Sequence, residues 1–228
     1  MTDAHCHVRR GESRHIFCEP CDVASATSDD AVFFGFHPWH LEGFDADALR
    51  SRLAANPRAG VGEIGMDRLR EKVIPSAMRE AFEAQLAIAA ELSRPVVLHG
   101  AKCWGEVFRA AAKYAGRIPA FLFHGFSRSG GLVPDIARIN GFISIGPALL
   151  NDHAVNYREL AKSIPLEMLL VESDATPENS AEVPSVAEVA AKLAELRGIP
   201  LDALAASLEA NATRFLLESN AKPKGRKI

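Results

Sequence analysis

Short apolar segments, most of them rich in β-branched or aromatic residues, recur along this chain with helix-like stretches between them. No other feature constrains the fold as strongly. Strands are expected over residues 2–8, 15–18, 31–36, 60–64, 95–99, 120–124, 142–145 and 168–172. Apolar residues at 3.6-residue spacing predict helices over 76–92, 104–115, 152–163, 185–197 and 201–218; in the first of these Met78, Phe82, Leu86 and Ala89 fall in register. Strand and helix in alternation imply a parallel sheet. Eight strand segments fit a closed α/β barrel, the (β/α)8 TIM-type fold, and 228 residues lie near the small end of its usual range. The early connections are too short for full helices, so the first helices should be shortened. A doubly wound open sheet is the structural alternative.

Hydrophobic residues make up 48% of the chain and charged residues 24%, enough for one sizeable core. A single barrel domain over 1–218 is expected, followed by a basic tail over 219–228 that reads as a solvated terminus. No apolar run approaches the roughly 20 residues of a bilayer-spanning helix. The start of the chain has neither the basic nor the apolar stretch of a secretory signal, so a soluble, cytoplasmic protein is the default expectation. A formal net charge of −3 offers no global basic field for a polyanion. Cys18 and Cys21 form a CxxC, but no second pair completes a zinc knuckle, so reduced thiols are expected.

The chemistry lies where the strands end. The first carries Asp3, His5 and His7 at period 2, so all three side chains should leave one face, with Cys6 turned toward the helix layer. The third runs into Gly35-Phe36-His37-Pro38 and the fourth ends in Gly62-Glu63-Ile64-Gly65. The fifth, sixth and eighth run out at His99, His124 and Glu172-Ser173-Asp174. Barrel active sites are assembled at that C-terminal end from residues far apart in sequence. Taken singly, each of these residues is most simply a turn former, a cap or a satisfied histidine. Together, His5, His7, Glu63, His99, His124 and Asp174 would be costly to bury in one barrel mouth unless they bind cations. Four imidazoles and two carboxylates suit two divalent metal ions, Zn²⁺ or Mn²⁺ before Mg²⁺.

These motifs also carry a family resemblance. Asp3-Ala4-His5-Cys6-His7, Gly35-Phe36-His37-Pro38, Gly62-Glu63-Ile64-Gly65-Met66-Asp67, Pro95-Val96-Val97-Leu98-His99, His124-Gly125-Phe126-Ser127 and Glu172-Ser173-Asp174-Ala175 occur in that order. With the closing Asn211-Ala212-Thr213-Arg214-Phe215-Leu216, they resemble the TatD family of metal-dependent hydrolases over nearly the whole chain. The resemblance implies a barrel of the metallo-dependent hydrolase kind. One ion would be held by His5, His7, Glu63 and Asp174, and a second by Glu63, His99 and His124, so that Glu63 bridges. It further implies hydrolysis by a metal-activated water, with DNA or another phosphodiester as substrate. Asp174 would also handle the water's proton, and His37 would act near the substrate. The chain departs from the family pattern in three places. The stretch before Gly35 is short, the arginine common two positions after the fifth-strand histidine is replaced by Ala101, and Arg128 interrupts the usual Ser-Gly-Ser after His124.

Three functions remain open at this stage. A phosphodiesterase, most simply a deoxyribonuclease, needs cations near the metals, for which Arg68, Lys102 and Arg128 are candidates. A hydrolase of amides, esters or lactones needs an apolar pocket, for which Trp39 and Trp104 are available. The third is a non-catalytic metal-binding protein, which the complete ligand set disfavours.

Overall fold

The computed structural model describes residues 1–11, 14–20, 31–69, 72–127 and 129–218. Eight strands lie side by side in sequence order: β1 (Asp3–Cys6), β2 (His15–Pro20), β3 (Ala31–Gly35), β4 (Gly60–Asp67), β5 (Val96–Ala101), β6 (Phe121–Phe123), β7 (Gly141–Ile145) and β8 (Leu169–Val171). Every neighbouring pair is parallel. Between β8 and β1 the seam is joined just beyond β8. Asp174 N–H donates to the His5 carbonyl at 3.0 Å, and His7 N–H to the Ala175 carbonyl at 2.8 Å. The Asp3 carboxylate adds bonds from Ser173 N–H at 2.9 Å and Ser173 Oγ–H at 2.6 Å. The result is an eight-stranded parallel barrel. Closing that seam also brings Asp174 beside the two histidines of the first strand.

The expected shortening of the early helices holds: among the described residues none falls between β1 and β3, and α1 (Ala46–Ala55) first appears after β3. It starts at Asp45, whose carboxylate accepts from the N–H groups of Asp47 and Ala48. α2 (Ser76–Glu91), α3 (Trp104–Ala112), α4 (Val133–Arg138), α5 (Val155–Ser163), α6 (Val186–Arg197) and α7 (Leu201–Glu218) follow. α2 buries Met78, Phe82, Leu86 and Ala89 on one face, as its spacing requires. α6 opens on a Ser185–Glu188 capping box and stops at Gly198, whose φ of 63° an L-residue rarely adopts. Among the described residues no helix is long and apolar enough to cross a membrane.

Two apolar layers result. One lies between strands and helices and includes Phe34, Val61, Ile64, Met66 and Leu98. The other fills the barrel interior with Ala4, Ile16, Cys18, Phe33, Val97, Leu122, Phe142 and Leu170, and takes Ala212 and Phe215 from α7. The Phe215 ring stacks on Phe33 at 5.8 Å and meets Phe142 edge-on at 5.6 Å, so α7 plugs the end where strands begin. Asn211 Nδ2–H fixes that helix by donating to the carbonyls of Leu166 and Leu169, at 2.7 and 2.8 Å. With one end plugged, the other is left for polar side chains.

Two strands break the simple alternation. In β1 the register with β2 slips between Asp3 and Cys6, so that Ala4 and His5 face the single residue Ile16. In β4 it slips likewise between Val61 and Ile64 against β5. Such bulges put two consecutive residues on one face. The expectation that Asp3 shares a face with His5 and His7 is therefore wrong. The bulge turns Asp3 outward, and its carboxylate meets donor atoms of Cys6 and His15 within 4.8 Å, while Ala4 and His5 face inward. Cys6 is buried outside the barrel interior, as expected, and Cys18 and Cys103 are buried free thiols. Cys21 and the tail over 219–228 lie outside the described residues.

Candidate metal centre at the barrel mouth

Glu63 is the hub of the polar cluster. It is 6% exposed, and its two oxygens face different partners. Oε2 lies 3.3 Å from His5 Nε2 and 3.3 Å from His7 Nε2. Oε1 lies 2.5 Å from His99 Nδ1 and 2.6 Å from His124 Nε2. Asp174 Oδ1 stands 3.5 Å from His5 Nε2 and 4.0 Å from His7 Nε2, so it joins the Oε2 side. His37 Nε2 is 3.6 Å from Oε1. The six expected ligand residues, with His37, thus meet in one mouth, from β1, β3, β4, β5, β6 and β8 or the residues just beyond them. Asp174 is held at φ 51° and its side chain is half exposed, at the open side of the cluster.

Outer partners decide which nitrogen each ring points inward. His7 Nδ1–H donates to the Cys18 carbonyl at 3.1 Å, leaving Nε2 for the cluster. His99 Nε2–H donates to Asp67 Oδ2 at 3.0 Å, leaving Nδ1. His124 Nδ1 faces Glu172 Oε1 at 3.6 Å, leaving Nε2. Carboxylates or carbonyls behind ligating imidazoles fix tautomer and ring orientation in this way. Asp67 and Glu172 are the residues that sequence reasoning missed. Both stand in the quoted motifs at strand ends, which was the available signal, and the structure buries both.

The donor set fits divalent cations. Rings that already donate from their far nitrogen can aim only a lone pair at Glu63 unless they become charged. Yet His99 Nδ1 and His124 Nε2 lie 3.3 Å apart beside the same oxygen. Without a cation the cluster must hold crowded imidazoliums instead. Burial would push the Glu63 carboxyl up, but the His124, His99 and His5 rings hold it well below the usual carboxylate range. Burial would lower the His124 ring, but Glu63 and Glu172 carry it well above the usual histidine range. His5 is wholly buried, and neither of its ring nitrogens has a hydrogen-bond partner. Donors about 2.1 Å from a tetrahedral cation lie about 3.4 Å apart, close to the spacing on the Oε2 side.

Around the cluster the mouth opens into two clefts. One, of about 850 Å³, is lined by Arg68, Lys102, Arg109, Ser127, His124 and Asp174 among others. Lys102, the expected phosphate contact, is exposed there at φ 56°, and Arg109 joins it, while Arg68 is paired with Glu106. The other, of about 1330 Å³, also reaches Asp174 and Ser127 and is lined by Tyr157 and Asn179. Arg128 lies outside the described residues. Of the two tryptophans, Trp104 is 3% exposed and packed on Phe123 and Phe126, so its ring belongs to the core. Trp39 stands at the mouth.

An eight-stranded parallel barrel with a histidine–carboxylate cluster at its C-terminal end is the architecture of metal-dependent barrel hydrolases. The family model described as TatD related DNase matches residues 13–217, and the chain belongs to that family. It is 32% identical over 145 residues to the 3′-5′ ssDNA/RNA exonuclease TatD of Dickeya dadantii, covering 62% of this chain and 55% of that one. To the protein of the same name in Erwinia tasmaniensis it is 30% identical over 196 residues, covering 79% and 76%. The match therefore spans about half the length of the Dickeya relative and about three quarters of the Erwinia one. The crystal structure of the TatD homologue YjjV from Escherichia coli K12 superposes with a TM-score of 0.79, covering 94% of this chain and 96% of that one at 22% identity. That likeness shows a shared fold.

Proposed function

We propose that this protein is a divalent-metal-dependent phosphodiesterase that acts on DNA. The observation that carries the reading is the division of Glu63, whose two oxygens each face their own pair of imidazoles. On that basis two cations are held, one by His5, His7, Glu63 and Asp174, the other by Glu63, His99 and His124. Zn²⁺ and Mn²⁺ suit this donor set best, with Mg²⁺ third. When bound, such cations make a water acidic enough to attack phosphorus near neutral pH and stabilise charge on the attacking and leaving oxygens.

The chain's own groups supply the rest. Asp174, half exposed on the open side of the cluster, takes the proton of the attacking water. His37 accepts Trp39 N–H at Nδ1, so its neutral ring carries the proton at Nε2, where it can donate to a phosphate oxygen. Burial outweighs Glu63 and holds this ring below the usual histidine range, in favour of that neutral donor. Lys102 and Arg109 attract the phosphates from the first cleft, and Arg128 stands in for the arginine that Ala101 replaces. The names of the relatives support a single-stranded polynucleotide as substrate.

The test is a substrate panel on purified protein supplied with Mn²⁺ or Zn²⁺: labelled single-stranded DNA, bis(p-nitrophenyl) phosphate and p-nitrophenyl acetate. Hydrolysis of the two phosphodiesters, abolished by chelation, is expected. Hydrolysis of the acetate alone would overturn the reading in favour of a carboxylic-ester hydrolase.

A further inference from the structure

Trp39 is 37% exposed at the barrel mouth, yet its indole is fixed in place. Nε1–H donates to Asp67 Oδ2 at 2.8 Å, the same oxygen that receives His99 Nε2–H at 3.0 Å. The backbone N–H of Trp39 donates to His37 Nδ1 at 3.2 Å, and the indole meets the His37 ring edge-on at 5.0 Å. Its centroid lies 6.1 Å from that of His99, one of the rings around Glu63. The other oxygen of Asp67 accepts Leu69 N–H, and Leu69, 57% exposed, begins the wall of the cleft that holds Lys102 and Arg109. One buried carboxylate therefore ties an exposed aromatic, an exposed aliphatic residue and a cluster histidine into a single rigid lip.

An apolar ring immobilised beside charged groups adds nothing to the core, and it is suited to a flat partner that carries charge on one edge. We propose that Trp39 is a stacking platform for a nucleobase of a single-stranded polynucleotide. It seats the base next to the phosphate under attack, while the cationic cleft holds neighbouring phosphates. This rests on the phosphodiesterase reading above. Aromatic platforms bind any base by its π-face, so the site selects unstacked ends over paired ones without reading sequence. The indole's anchorage also makes the platform cheap to use, because little side-chain freedom is lost on binding.

The experiment measures KM and kcat of the metal-loaded wild type, Trp39→Ala and Trp39→Phe. The substrates are octathymidylate and an octamer whose terminal residues are abasic; metal content is determined for each protein. Wild type should favour octathymidylate in KM by about tenfold or more. That preference should fall to near one in Trp39→Ala and return largely in Trp39→Phe, with metal content constant throughout. Octathymidylate should also quench the wild type's tryptophan fluorescence, since Trp104 is buried. An unchanged preference in Trp39→Ala, or equal losses on both octamers, overturns the platform. Loss of metal in Trp39→Ala also overturns it, since the residue would then act only through Asp67 and His99. A metal-loaded wild type that cleaves bis(p-nitrophenyl) phosphate but shows no preference between the octamers rejects the platform alone. One that cleaves no phosphodiester rejects the underlying reading as well.

Discussion

Replacing Asp67 by asparagine isolates the buried carboxylate behind the site. Its side chain is 1% exposed and accepts three hydrogen bonds, from Trp39 Nε1–H at 2.8 Å, His99 Nε2–H at 3.0 Å and Leu69 N–H at 2.5 Å. Burial would push its pKa up, but the bonds from His99, Leu69 and Trp39 hold it below the usual carboxylate range, so it is charged at neutral pH. Asparagine offers one carbonyl oxygen and an NH₂ group. With its oxygen toward Trp39 and His99, the amide confronts Leu69 N–H; flipped, it confronts both ring donors. At least one buried donor is left facing a donor, at about 1–3 kcal/mol, and the remaining bonds lose their charge assistance, at about 1 kcal/mol more. The metal-free variant should be less stable by about 2–4 kcal/mol, which lowers Tm by about 4–16 °C for a chain of this size. His99 also loses its orienting partner, so metal affinity should fall about 10–100-fold. Thermal unfolding followed by circular dichroism, with chelator-competition titration, reads both quantities. A Tm within about 2 °C of wild type together with unchanged affinity would refute the reasoning.

Glu63→Gln should cost the protein both ions by elemental analysis, while His153→Ala, an exposed change just before α5, should leave metal content unaltered; retention of one full equivalent by Glu63→Gln would show that the carboxylate does not bridge. Asp174→Asn should lower turnover about 100-fold while keeping most of the metal, because the side chain is assigned a proton as well as an ion; loss of metal and activity in strict proportion would reduce it to a ligand. Phe215→Ala removes the plug stacked on Phe33 and should destabilise the barrel by about 3–5 kcal/mol in urea unfolding, and a change below about 1 kcal/mol would contradict its placement.

Much of the barrel was legible because buried parallel strands must be apolar throughout, and segments such as Phe121–Phe123 and Leu169–Val171 are. The longest helices were legible from periodicity, and the expected range of α7 coincides with the observed Leu201–Glu218. α1 and α4 were not. α1 is rich in alanine and buries only Leu49 and Leu53, too few large apolar residues to mark a face, and α4 spans six residues, too few for a repeat to show. The roles of Asp67 and Glu172 were hidden for a different reason. A carboxylate that orients a histidine is defined by the ring behind which it stands, and another strand supplies that ring.

The bulges in β1 and β4 explain why period-2 counting recovered His5 and His7 yet misplaced Asp3. An extra residue is invisible to a pattern read from one strand, since it is counted against the neighbour's register. In each bulge the surplus inward position is a cluster residue, His5 in β1 and Glu63 in β4, and in each a small residue precedes it, Ala4 and Gly62. Two consecutive inward side chains cannot both be large inside a small barrel. A Cβ added to Gly62 would lie 2.8 Å from the Cβ of Val97, closer than such atoms approach. One member of the pair must therefore be small for the other to be polar and aimed at the mouth. Ala4-His5 and Gly62-Glu63 follow one packing rule. A small residue directly before a metal-competent side chain, in an otherwise apolar strand, is the trace in the sequence of a bulge that builds a site.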